Sequence, residues 1–305
     1  MEVAIVGSGA VGGFLGAKLK RAGFDVTFIA RGLHLEKMKE RGLRIQSDSE
    51  TFCIDGTFTE DLKEINRADF IFFTVKSTDT RETAIMLRPF MKAGSHVLTL
   101  QNGVDNEEIL SEVLGEEKIL SGAAYITSKI EEPGVIRQEG PFSLLVGSLH
   151  ESAQKAVMSL SDLCQSAGIH CKTTHSILTR KWDKLLWNVT FNPLSAVTGA
   201  SVGEILDDKQ LRMTAEKALL EAVMIGKACG IEIREKVIDR IFPSAELVRH
   251  HKTSMLQDRE RGKRMEIDSL CGFFISKSQR LGVDTPVLST LYAILSSMER
   301  RDRWR

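Results

Sequence analysis

The sequence predicts an α/β fold in two parts, a doubly wound, mostly parallel sheet followed by an all-α C-terminal domain. Three observations carry this expectation. Strand-like apolar runs alternate with helical patterns up to about Thr173, and from there a helical period dominates to the end. The first strand-like run leads directly into Gly7-Ser8-Gly9-Ala10-Val11-Gly12 and then a helix. The chain has 305 residues, a length typical of about two domains. The expected division is residues 1–174, the sheet-bearing domain, and residues 175–305, the all-helical domain.

Met1 to Val6 is apolar and β-branched and reads as a strand. After the glycines, Phe14, Leu15, Ala17 and Leu19 recur at helical spacing until Ala22-Gly23. Strand, Gly-x-Gly-x-x-Gly, helix is the order of a Rossmann dinucleotide-binding turn. Gly7 permits the tight turn, Gly9 lets the backbone touch a pyrophosphate, and Gly12 lets the helix pack closely on the strand. The helix N-terminus offers unpaired N–H groups and a partial positive charge to phosphates. Gly7, Ser8, Gly9, Ala10, Val11 and Gly12 are therefore expected to bind a cofactor; the alternative is a glycine turn without a ligand.

Asp25 to Ala30 reads as the second strand. NAD-binding turns place an acid near its end to grip the ribose 2′-hydroxyl. Here Ala30-Arg31 stands in that place. An arginine pairs with a 2′-phosphate through charge-assisted hydrogen bonds, so NADP(H) is expected, with Arg31 reading it. The competing reading is a solvated surface arginine.

Residues 33–41 read as a short helix closed by Gly42, and residues 43–46 and 52–54 as short strands. Asp69 to Val75 is nearly continuous apolar, as in a strand buried on both faces. Lys76 follows its carboxyl end, where open α/β sheets bind ligands, and is a second candidate near the cofactor. Residues 80–91 suggest a helix broken by Pro89, and residues 96–100 a strand. Gln101-Asn102-Gly103 follows at the same sheet edge, where the Asn102 amide could meet a ribose or a substrate oxygen; Asn-Gly is also a plain turn signal. Residues 119–126, 134–138 and 143–146 suggest three antiparallel strands, because the links are too short for crossover helices. Residues 154–167 form an amphipathic helix and residues 169–173 a last strand.

The second half reads as helices. Residues 177–192 are expected to end at Pro193, with Lys184, Asn188 and Asn192 in one polar stripe at i, i+4 and i+8. A solvated face, with Lys184 paired to Asp183 or a neighbour, is the plainer alternative. A helix is expected at residues 211–229 and two helical pieces, 232–241 and 245–248, around Pro243. A long helix over residues 266–281 should end at Gly282, and a last helix should cover residues 287–298, leaving Arg300 to Arg305 as a solvated tail.

Lys plus Arg and Asp plus Glu both number 41, a formal net charge of zero, which argues against broad capture of nucleic acid or anionic membrane. No run approaches the apolar length of a membrane span, and Met1-Glu2 before a glycine turn does not resemble a secretory signal. The five cysteines are scattered without a C-x-x-C pair, so reduced thiols, a cytoplasmic location and no metal site are expected.

Along its whole length the chain resembles the ketopantoate reductase (2-dehydropantoate 2-reductase) family. The resemblance rests on Gly7 to Gly12, Thr74-Val75-Lys76, Gln101-Asn102-Gly103, Trp182 to Asn188, Asn192 to Ala196, Ser254 to Asp258 and Glu266-Ile267-Asp268. It implies NADPH-dependent reduction of a branched 2-oxo acid on the route to pantothenate and coenzyme A, in a cytoplasmic enzyme that leaves room for a homodimer. It also implies that the catalytic lysine is Lys184 and the catalytic glutamate Glu266. Cofactor contacts would fall on Lys76, Asn102 and Glu266, and substrate contacts on Asn102, Lys184, Asn188, Asn192, Ser254 and Asp258. Lys184 would protonate the carbonyl oxygen and stabilise its developing charge, while Glu266 would hold the substrate hydroxyl. Burial and neutral amides lower a lysine pKa and a nearby carboxylate raises it, and these two effects oppose each other at Lys184. Some members carry a substrate-touching asparagine where this chain has Val202, before Gly203-Glu204. A relative reducing another small 2-oxo acid, and a non-catalytic NADP(H) sensor, are the competing readings.

Overall fold

The computed structural model describes residues 1–302. The chain forms two compact units: Met1–Gln101 with Asn106–Ile177, and Asn102–Asp105 with Leu178–Arg305.

The first unit runs β1 (Glu2–Val6), α1 (Ala10–Arg21), β2 (Asp25–Ile29), α2 (Gly32–Arg41), β3 (Leu43–Ser47), β4 (Thr51–Ile54), β5 (Thr57–Thr59), β6 (Phe70–Phe73), α3 (Thr80–Leu87), β7 (His96–Thr99), α4 (Asn106–Leu114), β8 (Ile119–Glu132), β9 (Val135–Ser148), α5 (Gln154–Ser166) and β10 (Cys171–Thr173). The sheet order is β4-β3-β9-β8-β7-β6-β1-β2-β5, with β10 added beside β9. From β5 to β8 every pairing is parallel. Parallel strands need covered faces, and β1 shows how the alternating side chains achieve this. Val3 and Ile5 enter one buried cluster with α1 and α5 residues such as Phe14, Leu15, Leu160 and Leu163. Ala4 and Val6 enter the opposite cluster with Ala84, Leu87, Leu110 and Leu114 of α3 and α4. The neighbours of β1 are β2 on one side and β6 on the other, so strand order reverses at β1, the switch point where such sheets bind ligands.

The expected three antiparallel strands after residue 119 are two long ones. The antiparallel pairing of β8 and β9 holds, but Gly140-Pro141 lies within β9 instead of ending it. Tyr125 pairs with Ser143 and Thr127 with Glu139, so β9 carries extra residues across from Ile126. A bulge is where a strand tolerates proline, since no ladder donor is required there, and Gly140 supplies the turn with φ of +68°. β5 and α4 are not among the elements expected from the sequence. The expected helix over 80–91 stops at Leu87, and Pro89 lies in a 3-10 turn that follows.

The second unit holds α6 (Ile177–Thr198), α7 (Val202–Asp207), α8 (Lys209–Ala228), α9 (Glu235–Glu246), α10 (Ser254–Glu260), α11 (Phe273–Leu281) and α12 (Pro286–Asp302). Three expectations are corrected here. Pro193 does not end α6, which continues to Thr198 before Gly199 at φ +79°. An interior proline costs about 3 kcal/mol, yet Phe191, Leu194 and Ala196 around it are buried in one core and hold the helix through it. Pro243 likewise lies inside a single helix, α9, with Ile241 and Ala245 in the same core. The helix expected from Glu266 begins after it with a π-turn, Asp268–Gly272, before α11. Tyr292 of α12 donates to Asp268 Oδ1 at 2.9 Å where that turn starts. Of the expected solvated tail, Arg300 and Arg301 are exposed, and residues 303–305 lie outside the described residues. Among the described residues no helix is long and apolar enough to cross a membrane. All five cysteines are free thiols; Cys164, Cys171 and Cys271 are buried, Cys229 is partly buried and Cys53 is exposed.

Candidate active site

In the first unit the glycine turn has a shape that only glycines allow. Gly7 sits at φ +96°, and a Cβ there would lie 2.6 Å from Val75 N. At Gly12 a Cβ would lie 2.2 Å from Thr74 Oγ1 and 2.6 Å from Gly7 O. At Gly9 it would meet nothing within 4 Å. The side facing Gly9 is therefore open while the other two glycines are enclosed by protein. α1 starts there with no side-chain cap and no acid in its first turn, so the donors of Ala10 and Val11 meet no competing carboxylate. These features fit the phosphates of a dinucleotide. Ser8 is buried, and its hydroxyl donates to Ile29 O at 3.1 Å. Arg31 precedes α2; its exposed guanidinium pairs with Asp79 at 2.7 Å. Lys76 is exposed at the carboxyl end of β6.

The loop after β7 is anchored before it reaches the second unit. Gln101 Nε2 donates to Val75 O (3.0 Å) and to Thr80 Oγ1 (2.7 Å), and Thr80 Oγ1 donates to Asn106 Oδ1 (2.8 Å). Between those anchors lie Asn102–Asp105, which belong to the second unit. Gly103, at φ +86°, approaches the backbone of the π-turn: a Cβ on it would sit 3.1 Å from Ser269 O.

In the second unit Asn102 links the two residues expected to act. Lys184 Nζ donates to Asn102 Oδ1 at 3.2 Å, and Asn102 Nδ2 donates to Glu266 Oε2 at 3.3 Å. One amide thus presents its acceptor to an ammonium and its donor to a carboxylate, which settles its orientation. A cleft of about 330 Å³ opens beside this chain. It is lined by Asn102, Gly103, Asn188, Asn192, Ser254, Met255, Asp258, Glu266, Ser269 and Leu270. The α6 stripe delivers Asn188 and Asn192 to the cleft wall one turn apart, with Lys184 one turn further back on Asn102. α10 delivers Ser254, Met255 and Asp258; its N-cap Thr253 accepts from Leu256 N at 3.3 Å.

Lys184 is not paired with Asp183. Asp183 bonds instead to Arg234, with Arg180 at 3.7 Å. Burial, and after it the Lys181 charge, lower the Lys184 pKa to about 8, with Glu266 pulling the other way without prevailing. Val202 does not line the cleft; it is wholly buried in the helical core as the first residue of α7, behind the Ser201 cap. Four cleft residues had not been singled out from sequence: Gly103, Met255, Ser269 and Leu270. Ser269 and Leu270 lie three and four residues after Glu266, a helical spacing that could have pointed to them. Among the described residues no cluster of His, Cys, Asp or Glu could hold a metal ion.

A doubly wound sheet with a glycine turn at its switch point, joined to a helical unit, is the architecture of a nucleotide-dependent oxidoreductase, and that is the class of this protein. Residues 3–151 match the family described as ketopantoate reductase PanE/ApbA, and residues 176–299 match its C-terminal counterpart. The chain belongs to the ketopantoate reductase family. It is 31% identical to the 2-dehydropantoate 2-reductase of Mesorhizobium japonicum, over 98% of this chain and 97% of that one. It is similar in structure to a PanE/ApbA family ketopantoate reductase from Ralstonia eutropha JMP134, with a TM-score of 0.93 and 30% identity, covering 99% of this chain and all of the other (100%). The fold is also that of a D-mandelate dehydrogenase solved with NADH and anilino(oxo)acetate, with a TM-score of 0.92, 23% identity and coverage of 99% and 100%.

Proposed function

We propose that the chain reduces 2-dehydropantoate to pantoate with NADPH, a step toward pantothenate and coenzyme A, with the first unit holding the cofactor and the second the substrate. The observation that carries this reading is the Lys184–Asn102–Glu266 hydrogen-bonded chain beside a cleft lined with amides, hydroxyls and carboxylates.

When bound, the nicotinamide supplies the hydride. The remaining work falls to side chains of the protein. Charge developing on the carbonyl oxygen is met by the Lys184 ammonium, which then gives its proton there. A pKa near 8 leaves Lys184 protonated at neutral pH and makes it a stronger acid than an ordinary lysine. Asn102 holds that ammonium by its oxygen and Glu266 by its amide nitrogen, so the donor and the acceptor keep one spacing. Substrate hydroxyls have Glu266 and Asp258 to donate to, and the substrate carboxylate has Ser254, Asn188 and Asn192 as donors. Gly7, Ser8, Gly9, Ala10, Val11 and Gly12 would cradle the pyrophosphate, with Lys76 a further cofactor contact of the first unit.

NADP(H) preference is assigned to Arg31. A 2′-phosphate would draw the guanidinium from Asp79, whose exposed pair with it is weak. Arg31→Ala should raise the Michaelis constant for NADPH about tenfold, as expected for one lost charge-assisted contact, and leave that for NADH nearly unchanged. Equal effects on the two cofactors would remove Arg31 from this role.

A second reading, reduction of another small 2-oxo acid, is favoured by Met255 and Leu270, which give the cleft an apolar stretch of wall. Following NADPH loss with 2-dehydropantoate and a panel of 2-oxo acids separates the two. The first reading requires the highest kcat/KM for 2-dehydropantoate; a better apolar 2-oxo acid selects the second, and no turnover with any member rejects both.

A further inference from the structure

We propose that His34 is a positioning residue for the dinucleotide turn and acts as a neutral imidazole with its proton on Nε2. The inference rests on the reading of Gly7 to Gly12 as the NADP(H) site.

His34 lies on α2 between two backbone segments of the first unit. On one side Gly134 N, in the β8–β9 turn, reaches Nδ1 at 3.0 Å. On the other side Nε2 is 3.1 Å from Ser8 O. A backbone N–H can only donate, so Nδ1 must offer its lone pair. The neutral ring then carries its proton on Nε2, where it donates to the Ser8 carbonyl. The geometry decides the tautomer without reference to acidity. The anchor behind the ring is itself tight: Gly134 has φ of +82°, a Cβ there would lie 3.1 Å from Lys37 Cβ, and Gly134 O accepts from Arg44 N at 2.9 Å.

Ser8 and Gly9 share the peptide that His34 grips. Its carbonyl is held by the imidazole, and its N–H, that of Gly9, donates to Gly7 O at 2.7 Å. The remaining Ser8 donors are committed to the end of β2, its N–H and its hydroxyl both to Ile29 O. With glycine at position 9 and open space around it, little steric resistance opposes rotation of this peptide about the Gly9 φ. A rotated peptide would break both bonds and alter the turn from which α1 starts. His34 therefore raises the fraction of molecules whose turn is ready for a pyrophosphate. Affinity scales with that fraction, so loss of the bond weakens binding without touching the ligand.

The test compares His34→Gln, which keeps a donor near the Nε2 position, with His34→Asn, which keeps an acceptor near Nδ1, and His34→Ala, which keeps neither. NADPH binding is read by fluorescence titration and folding by thermal melting. The dissociation constant is expected to rise about tenfold in the Asn and Ala variants, the loss typical of one hydrogen bond. The Gln variant should stay within about threefold of wild type, and kcat should stay unchanged at saturating NADPH in all three. In the wild type, long-range proton–nitrogen NMR should show Nε2 protonated and Nδ1 bare at neutral pH. Rescue by Asn instead of Gln, unchanged affinity in all three, or a proton on Nδ1 would overturn the proposal. Wild-type protein that binds neither NADPH nor NADH would instead overturn the dinucleotide reading, and this proposal with it.

Discussion

Lys184→Ala is expected to lower kcat by about two to four orders of magnitude, the usual worth of a positioned proton donor, while NADPH affinity changes little. The position of Lys184 explains the size of the effect. Its ammonium is the cationic end of a hydrogen-bonded chain that reaches Glu266 through one amide, and water in an alanine-sized gap would lack both its charge and its placement. The pH profile carries a second, independent signature. In the proposed mechanism the protonated amine is the active form, so turnover should be full at neutral pH and fall as pH rises through about 8. Glu266 is the influence that raises this pKa, against burial and Lys181. Glu266→Gln should therefore move the falling limb to lower pH, besides lowering turnover. Stopped-flow turnover in both variants across this range decides the matter; near-normal rates in Lys184→Ala would reject the assignment.

Gly12→Ala is the second large effect. The added methyl would lie 2.2 Å from Thr74 Oγ1, 2.6 Å from Gly7 O and 2.9 Å from Ile5 Cγ2. Thr74 could rotate, but the Gly7 carbonyl is backbone, so α1 must move off the sheet. Overpacking of this kind costs about 1–3 kcal/mol. Displacing the helix by that amount of free energy should weaken NADPH binding about 5–150-fold and lower the melting temperature. Gly9→Ala is the informative partner, because its methyl meets no protein atom within 4 Å. It should melt like the wild type and still lose NADPH affinity, since the methyl enters the space a pyrophosphate would occupy. A Gly9→Ala variant that binds NADPH normally would show that no phosphate lies against that residue.

Local patterns were legible wherever one periodicity and one glycine signal decided the outcome. β1, the glycine turn and α1 follow from consecutive residues, as do the buried strand at Phe70–Phe73 and the stripe of Lys184, Asn188 and Asn192. Proline was the least dependable signal. Pro193 and Pro243 read as helix ends, yet the apolar neighbours of each are buried deeply enough to carry the helix through. Gly140-Pro141 read as a strand end, yet the partner strand absorbs it as a bulge. In each case a local penalty of a few kcal/mol was outweighed by packing between segments distant in sequence, which no local window contains.

The sequence by itself determined the division into a sheet part and a helical part, the glycine turn between β1 and α1 and the types of residue available for chemistry, because these depend on sterics and periodicity between near neighbours. Only the tertiary structure decided that Asn102 joins Lys184 to Glu266, that Ser269 and Leu270 enter the cleft, and that Val202 is core. It also decided that burial outweighs Glu266 at the Lys184 ammonium. Those outcomes depend on distances between residues as many as 164 positions apart, and on how much water each charge has lost.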